Sequence, residues 1–193
     1  MIKRELYMNR IRPFIGGELI KVMTGIRRSG KSVMLELIKE ELAEAGVAPS
    51  QMISINFEDM RYSHLQTATA LHDEIIKRAE GIEGKAYLFF DEIQEVEGWE
   101  KCVNSLRVAL DCDIYITGSN AKLLSGELAT YIGGRYVEFV IYPFSFAEFL
   151  ELYHTIAPSD SIQQCFQKYL LAGGMPYLAN LRYEEEPSRQ YLT

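Results

Sequence analysis

The sequence predicts an α/β domain in which a five-stranded parallel sheet is sandwiched by helices, followed by a C-terminal helical appendage. Two observations lead to this fold class. Five apolar segments of strand length alternate with segments whose apolar residues recur at helical spacing. No long antiparallel run interrupts the alternation, and strands that alternate with helices favour a doubly wound parallel sheet.

The first half of the chain contains two of these strands. A short helix is expected within residues 2–15, where a proline ends the apolar pattern. Residues 19–24 form an apolar run of strand length, and residues 32–42 carry apolar side chains at helical spacing. Residues 52–57 alternate apolar and polar side chains, as a half-buried strand does. An apolar stripe followed by two glycines then predicts a helix over residues 66–80.

Three more strands follow in the second half. Residues 86–90 form a continuous apolar run that is typical of a fully buried strand. An amphipathic pattern predicts a helix over residues 99–110, and another buried strand follows at residues 113–117. A helix is expected over residues 121–130 because a glycine pair ends the pattern, and residues 136–141 are the fifth strand.

The pattern changes after the fifth strand. Residues 143–193 contain two helical segments and no strand. The first begins with the capping-box pair Ser145 and Glu148, and the second covers residues 161–171. We therefore assign residues 1–142 to the sheet domain and residues 143–193 to a helical appendage, which is either a truncated lid or the start of a further domain.

Composition excludes several classes of protein. The 193 residues are 48% hydrophobic and 24% charged, as in an ordinary globular protein. A net charge of −7 argues against a whole-surface basic footprint for nucleic acid, although a local basic patch would not appear in that sum. Three widely spaced cysteines suggest neither a disulfide framework nor a zinc site. No run of eighteen apolar residues occurs, so we expect a cytoplasmic protein without a membrane span.

The segment between the first strand and the first long helix carries the strongest signal. It matches the phosphate-binding pattern G-x-x-x-x-G-K-[ST] at every defined position. Its glycines let backbone N–H groups approach phosphate oxygens, while Lys31 can reach the β- and γ-phosphates and the Ser32 hydroxyl can ligate Mg²⁺. A glycine turn that carries Lys and Ser by coincidence is the weaker alternative. The cofactor-binding residues of this phosphate loop are Gly25, Ile26, Arg27, Arg28, Ser29, Gly30, Lys31 and Ser32.

Two carboxylates end the third predicted strand. Open α/β sheets bind ligands at the carboxyl ends of their strands, which is where Asp91 and Glu92 would lie. In phosphoryl chemistry an aspartate there helps to hold Mg²⁺, and an adjacent glutamate can polarise the attacking water. An apolar strand running into two acidic residues is a weak signal alone, but it gains weight after a complete phosphate-loop match.

Three further positions have open alternatives. Asn120 or Ser119, after the fourth strand, can hydrogen-bond the attacking water or the γ-phosphate, or can cap the helix that follows. Arg135 is either an exposed charge or an arginine that meets a phosphate on a neighbouring subunit. Near the N-terminus, Tyr7 or a nearby arginine can lie against the base of a nucleotide, but we favour a packing helix with a solvated basic face.

These motifs occur in an order that resembles the AAA-type P-loop ATPases of bacteria and archaea. More narrowly, the chain resembles predicted ATPases in which an N-terminal AAA domain precedes a C-terminal domain of unknown function. The resemblance covers nearly the whole chain. The segments that carry it are residues 25–32, 56–59, 90–92, 117–125, 134–135, 143–149 and 173–176.

The resemblance implies an ATP site. Lys31 and Ser32 would belong to its first motif, and Asp91 and Glu92 to its second. ATP and Mg²⁺ are then the expected ligands.

The resemblance also bears on residues outside these two motifs. Ser119 or Asn120 would be the sensor, and Arg135 a finger or sensor arginine. Family members continue well past residue 193, so the chain is either a truncated domain or an unusually short member. Tyr177 departs from the family, which commonly has an acidic residue after Gly-Gly-x-Pro.

The leading functional hypothesis is an ATP hydrolase that uses Glu92 to activate water and moves the helical appendage against the sheet. The alternative is a slow nucleotide-gated switch whose output is partner binding, with an unknown protein or a second copy of the chain as the partner. A motor on nucleic acid lacks a basic stripe in the sequence, and a small-molecule kinase lacks a recognisable acceptor site.

Overall fold

The computed structural model describes residues 2–119, 123 and 132–192. Five strands form one sheet in the order β2-β3-β4-β1-β5, and each neighbouring pair is parallel. The predicted α/β fold with a five-stranded parallel sheet is therefore confirmed. The strands are β1 (Ile20–Thr24), β2 (Met52–Asn56), β3 (Ala86–Asp91), β4 (Cys112–Thr117) and β5 (Tyr136–Val140).

Helices connect the strands and form the C-terminal part. The helix predicted over residues 121–130 lies outside the described residues, apart from Leu123. None of the helices in the described ranges is long and apolar enough to cross a membrane. The helices are α1 (Glu5–Ile11), α2 (Lys31–Glu44), α3 (Ala68–Ala79), α4 (Trp99–Ala109), α5 (Phe146–Tyr153), α6 (Ile162–Ala172) and α7 (Glu185–Leu192).

The two faces of the sheet bury different side chains because successive residues of a strand point to opposite sides. Val22 belongs to a core that α3 and α4 cover, whereas its neighbour Met23 belongs to a core that α1 and α2 cover. Phe90 and Phe89 divide between the two cores in the same way. Helices therefore lie on both faces, as the alternation of apolar segments predicted.

A third apolar core lies in the C-terminal part. It is built around the fully buried Phe149 of α5, whose ring lies 5.2 Å from that of Tyr153 and 4.8 Å from that of Tyr183. Cys165 of α6 belongs to the same core. The segments predicted as helices at 145–153 and 161–171 are thus held together by their own aromatic contacts.

The strand order decides where the polar residues meet. All strands are parallel, so their carboxyl ends share one edge of the sheet, and β1 lies between β4 and β5. Met23 near the end of β1 pairs with Thr117 of β4, and Phe90 of β3 pairs with Ile116. The loop after β1, the carboxylates after β3 and the end of β4 therefore lie next to one another.

Candidate functional site

The phosphate loop joins β1 to α2 and depends on two glycines. Gly25 has φ +148°, and a Cβ there would lie 2.2 Å from the carbonyl oxygen of Ile141. Gly30 has φ +99° and immediately precedes α2, which begins at Lys31. A side chain at position 25 would displace the loop, and one at position 30 would strain its backbone. The helix therefore directs its free N–H groups and the positive end of its dipole at the loop, an arrangement that favours an anion.

The Lys31 amine contacts the backbone of this loop. It donates hydrogen bonds to the carbonyl oxygens of Gly25 at 3.4 Å and Ile26 at 3.3 Å. Its Nζ also lies 3.6 Å from Oε1 of Glu92. The side chain is almost completely buried, so this positive charge is aimed into the loop rather than at bulk solvent.

Asp91 ends β3 beside the loop. Its carboxylate accepts hydrogen bonds from the hydroxyls of Thr117 and Ser32. Burial raises its pKa above the ordinary value, and these two hydrogen bonds offset only part of that effect. Burying the ionised carboxylate is unfavourable, and a cation bound between Asp91 and Ser32 would offset that desolvation penalty.

Glu92 has an unusual backbone conformation. Its φ is +54°, in the left-handed region that non-glycine residues rarely adopt. Its N–H donates to the Thr117 hydroxyl at 3.0 Å, and its Oε2 accepts from Nε2 of Gln94 at 2.5 Å. Together with Lys31, these contacts hold the carboxylate at the edge of the loop. Strained backbone of this kind persists only where neighbouring contacts fix it.

A pocket of about 690 Å³ opens over Lys31 and Glu92. The loop contributes Arg28, Lys31 and Ser32 to its lining, and the C-terminal part contributes Tyr177 and Tyr191. The two tyrosine rings are stacked at 5.0 Å, and the guanidinium of Arg28 lies 5.1 Å from the centre of the Tyr191 ring. The pocket therefore brings polar and cationic groups of the loop next to a pair of aromatic rings, which suits a ligand with a phosphate end and a flat ring.

The oxygen ligands of the site fit a magnesium ion. The carboxylate of Asp91 and the hydroxyl of Ser32 are in contact, and both are hard oxygen donors. Within the described residues, no group of three or more His, Cys, Asp or Glu side chains could hold a metal. A magnesium ion here would thus depend on phosphate oxygens of a ligand, as Mg²⁺ commonly does in nucleotide sites.

The structure separates Arg135 from the other predicted site residues. Its carbonyl accepts from the N–H of Ile20, the first residue of β1, so it lies at the amino-terminal edge of the sheet, opposite the phosphate loop. Its exposed side chain donates to Oδ1 of Asn104 on α4 at 2.8 Å. Asn120 lies outside the described residues, and the carbonyl of Ser119 accepts from the N–H of Leu123. The roles predicted for Arg135 and Asn120 remain predictions.

Sequence reasoning missed Thr117 and Arg4. Thr117 is a buried polar residue at the end of an otherwise apolar strand, and that pattern could have drawn attention to it. Arg4 was expected on a solvated basic face, but its side chain is buried and ion-paired with Glu148. Tyr7 is buried in the core on one face of the sheet, and its hydroxyl accepts from the N–H of Tyr142. The interpretation of this segment as a packing helix agrees with the position of Tyr7, whereas Arg4 departs from it.

Two longer proteins are similar in sequence. An uncharacterized protein of Haemophilus influenzae is 44% identical over 176 residues, which cover 91% of this chain and 44% of that protein. An uncharacterized protein of Methanocaldococcus jannaschii is 35% identical over 185 residues, which cover 90% of this chain and 40% of that protein. The chain thus spans less than half the length of the relatives that it matches.

Solved structures of low sequence identity share the fold. The replication initiator DnaA bound to AMPPCP and single-stranded DNA has a TM-score of 0.63 at 14% identity, covering 98% of this chain and 65% of that one. The Orc1 protein of Aeropyrum pernix in complex with DNA has a TM-score of 0.55 at 16% identity, covering 98% of this chain and 65% of that one. The RuvB P216G mutant of Thermotoga maritima has a TM-score of 0.56 at 16% identity, covering 98% of this chain and 62% of that one.

The family assignment rests on a match along most of the chain. A family model described as an AAA domain matches residues 18–150, which include the phosphate loop, Asp91 and Glu92. The parallel sheet and the position of the loop agree with that match. The chain therefore belongs to the AAA domain family and has the fold of an AAA-type P-loop ATPase.

Proposed function

We propose that this chain binds ATP in the pocket over the phosphate loop and hydrolyses it in a Mg²⁺-dependent reaction. The observation that carries the proposal is that Lys31 and Glu92 line this pocket as an ion pair, while Asp91 lies beside them and accepts a hydrogen bond from Ser32, which also lines the pocket. A buried cation, a metal-binding carboxylate and a second carboxylate are the groups that phosphoryl transfer to water requires.

Each group has a distinct task in this proposal. Loop N–H groups and Lys31 bind the phosphates, and Lys31 exchanges its loop carbonyl contacts for phosphate oxygens. Ser32 and Asp91 would hold Mg²⁺, which would supply positive charge to neutralise the phosphates. Glu92 orients the attacking water and accepts its proton. Glu92 is already held by hydrogen bonds, which supports this role because positioning carries most of the catalysis in this chemistry.

The stacked rings of Tyr177 and Tyr191 support the proposal that the ligand is a nucleotide, with a base as well as phosphates. Tyr177 is half exposed, stacks on Tyr191 and lines the same pocket as Lys31 and Ser32. An aromatic face of this kind can stack on a nucleobase. Tyr177 stands where the family commonly has a carboxylate, so stacking would replace whatever that carboxylate does. Adenine is the base that membership of the family favours.

We also propose that residues 1–142 act as the nucleotide-binding unit and residues 143–193 as a helical unit that responds to the nucleotide. The separate aromatic core around Phe149 supports this division. The contribution of Tyr191 to the pocket lining supports the response, since a bound ligand would contact that unit.

A second candidate function is a slow nucleotide-gated switch. The observation that favours it is the ion pair between Lys31 and Glu92, because it engages Oε1 of Glu92 with the loop lysine rather than with an attacking water. In that case the nucleotide would bind tightly and turn over slowly, and a protein partner would read the state of the helical unit.

The test is titration calorimetry with ATP and AMPPCP in the presence of Mg²⁺, together with phosphate release. We expect Lys31→Ala to remove most of the binding, because Lys31 is the loop side chain aimed at the phosphates. Lys39→Ala is the matched control, since Lys39 lies on the same helix and pairs with Glu36 away from the pocket. Binding without measurable phosphate release would favour the switch, and unchanged affinity in a folded Lys31→Ala protein would overturn both candidates.

A further inference from the structure

Arg4 connects the phosphate loop to the C-terminal helices through a single buried guanidinium. Its Nη1 donates to the carbonyl oxygen of Ser29, in the loop, at 2.9 Å. Its Nη2 donates to the carbonyl oxygen of Tyr142 at 2.8 Å, and its Nε donates to Oε1 of Glu148 at 2.8 Å. The N-terminal segment, the phosphate loop and residues 142–148 are far apart in the sequence but meet at the Arg4 side chain.

The surroundings fix this guanidinium in place. It lies 4.6 Å from the centre of the Tyr7 ring and 5.2 Å from that of Phe144, and only 1% of the side chain is exposed. The backbone of Arg4 has φ +48°, a conformation that costs a non-glycine residue about 1 kcal/mol or more. Such strain is retained where the packing requires the side chain at one position.

On the loop side, the contact reaches the residues that shape the phosphate site. Ser29 directly precedes Gly30 and Lys31, and it is completely buried. A Cβ at Gly30 would lie 3.2 Å from Nη1 of Arg4, so the guanidinium and the loop leave each other little free space. A shift of the Ser29 carbonyl would therefore stretch or break its hydrogen bond to Arg4 unless Arg4 moved with it.

On the helical side, the contact reaches the start of α5. Glu148 closes a capping box there, since its Oε2 accepts from the N–H of Ser145 at 2.8 Å. The next residue, Phe149, is the centre of the third apolar core, and its ring contacts Tyr183. Displacing Glu148 would thus disturb the first turn of α5 and the packing of the helices behind it.

We propose that Arg4 is a positioning residue that couples nucleotide binding at the loop to the ordering of α5. A ligand that fixes the path of the loop fixes the Ser29 carbonyl, and the rigid fork of Arg4 passes that constraint to Glu148. Coupling of this kind is reciprocal, so a loosened α5 weakens nucleotide binding. The inference rests on the proposed nucleotide site.

The experiment compares wild type with Arg4→Lys, Glu148→Gln and Arg12→Ala, each with and without AMPPCP and Mg²⁺. Nucleotide affinity and hydrogen exchange of the α5 backbone amides are measured in every protein. Arg12 is the matched control because it also joins the N-terminal segment to another helix, pairing with Glu41 at 2.8 Å, but it contacts neither the loop nor α5.

We expect AMPPCP to slow exchange in α5 of wild type and of Arg12→Ala. Arg4→Lys should lose at least about tenfold in affinity and lose the slowing of exchange, since lysine cannot form the three-way fork. Glu148→Gln keeps the Ser29 contact of Arg4 and should therefore lose the slowing of exchange with a smaller loss of affinity. It also tests the coupling should Arg4→Lys fail to fold.

Wild-type affinity in folded Arg4→Lys, or undiminished slowing of α5 exchange in Glu148→Gln, would overturn the coupling. Absence of AMPPCP binding to wild type would instead count against the proposed function. The nucleotide-free arm would still test Arg4 in that case. Arg4→Lys should then speed exchange both in the phosphate loop and in α5, whereas Arg12→Ala should change neither, and equal exchange in the two variants would refute the connection.

Discussion

The hydroxyl of Thr117 accepts a hydrogen bond from the backbone N–H of Glu92 at 3.0 Å while it donates to the carboxylate of Asp91. One buried hydroxyl at the end of β4 therefore fixes both acidic residues at the end of β3. It holds Asp91 directly, and it holds Glu92 through a backbone conformation that is otherwise unfavourable. The first prediction depends on this relationship.

We expect Thr117→Val to keep nucleotide binding but to lower the rate of ATP hydrolysis by about tenfold or more. Valine has nearly the same shape as threonine, so the change leaves the Asp91 carboxylate and the Glu92 N–H without their shared partner. Phosphate release under saturating ATP measures the effect. Thr117→Ser restores the hydroxyl and should recover most of the activity, and a wild-type rate for Thr117→Val would rule out a positioning role.

The carboxylate of Glu92 gives the second prediction. Glu92→Gln should bind ATP with nearly wild-type affinity and hydrolyse it about 10²-fold more slowly, because the amide cannot accept a proton from water. Single-turnover kinetics separate this chemical step from product release. Glu95→Gln, at an exposed position three residues away, is the control. A normal rate for Glu92→Gln would remove Glu92 from the mechanism and favour the switch.

Acid stability provides a test of the buried contact between Arg4 and Glu148. Burial raises the pKa of Glu148, but hydrogen bonds from Arg4 and Ser145 outweigh burial and leave the pKa below its ordinary value. The Glu148 carboxylate therefore binds a proton less readily in the folded protein than in the unfolded chain. The stabilisation from the ionised carboxylate is present above the unfolded-state pKa and is lost as the pH falls through the folded-state pKa.

We therefore expect the free energy of unfolding of wild type to fall more steeply than that of Glu148→Gln as the pH drops below the ordinary pKa of a glutamate. Urea unfolding at a series of pH values measures both slopes. Glu151→Gln, at an exposed carboxylate of the same helix, is the matched control. Equal slopes for wild type and Glu148→Gln would show that the contact does not stabilise the ionised carboxylate.

The elements that sequence predicted well are those with a local pattern. The strands and helices follow from apolar periodicity, and the phosphate loop follows from fixed positions within eight residues. Asp91 and Glu92 could be placed because parallel strands share one carboxyl edge.

Thr117 and Arg4 could not be placed in this way because their partners are remote in the sequence. The hydrogen bond from Glu92 to Thr117 spans 25 positions, and that from Arg4 to Glu148 spans 144. No local period relates such residues, since the strand order and the packing of the C-terminal helices bring them together. The position of Tyr191 in the lining of the pocket could not be predicted from the sequence for the same reason.

The position of Arg135 leads to a prediction about assembly. Its exposed side chain lies on the edge of the sheet opposite the pocket and contacts Asn104, so it does not line the nucleotide site of its own chain. If Arg135 acts on a phosphate, that phosphate must belong to a second copy of the chain. Hydrolysis would then require association of subunits.

We expect Arg135→Ala to bind ATP normally and to lose about 10³-fold or more in hydrolysis rate, the usual effect of removing an arginine that stabilises transition-state charge. Mixing Arg135→Ala, which keeps its own site, with Lys31→Ala, which keeps its arginine, should recover part of the activity, because an interface is intact where the site comes from Arg135→Ala and the arginine from Lys31→Ala. Arg107→Ala, on the same helix as Asn104, is the control for a simple loss of surface charge. Specific activity that does not change with protein concentration and is insensitive to Arg135→Ala would contradict the action in trans, and would leave Arg135 as a charge that anchors the start of β5 to α4.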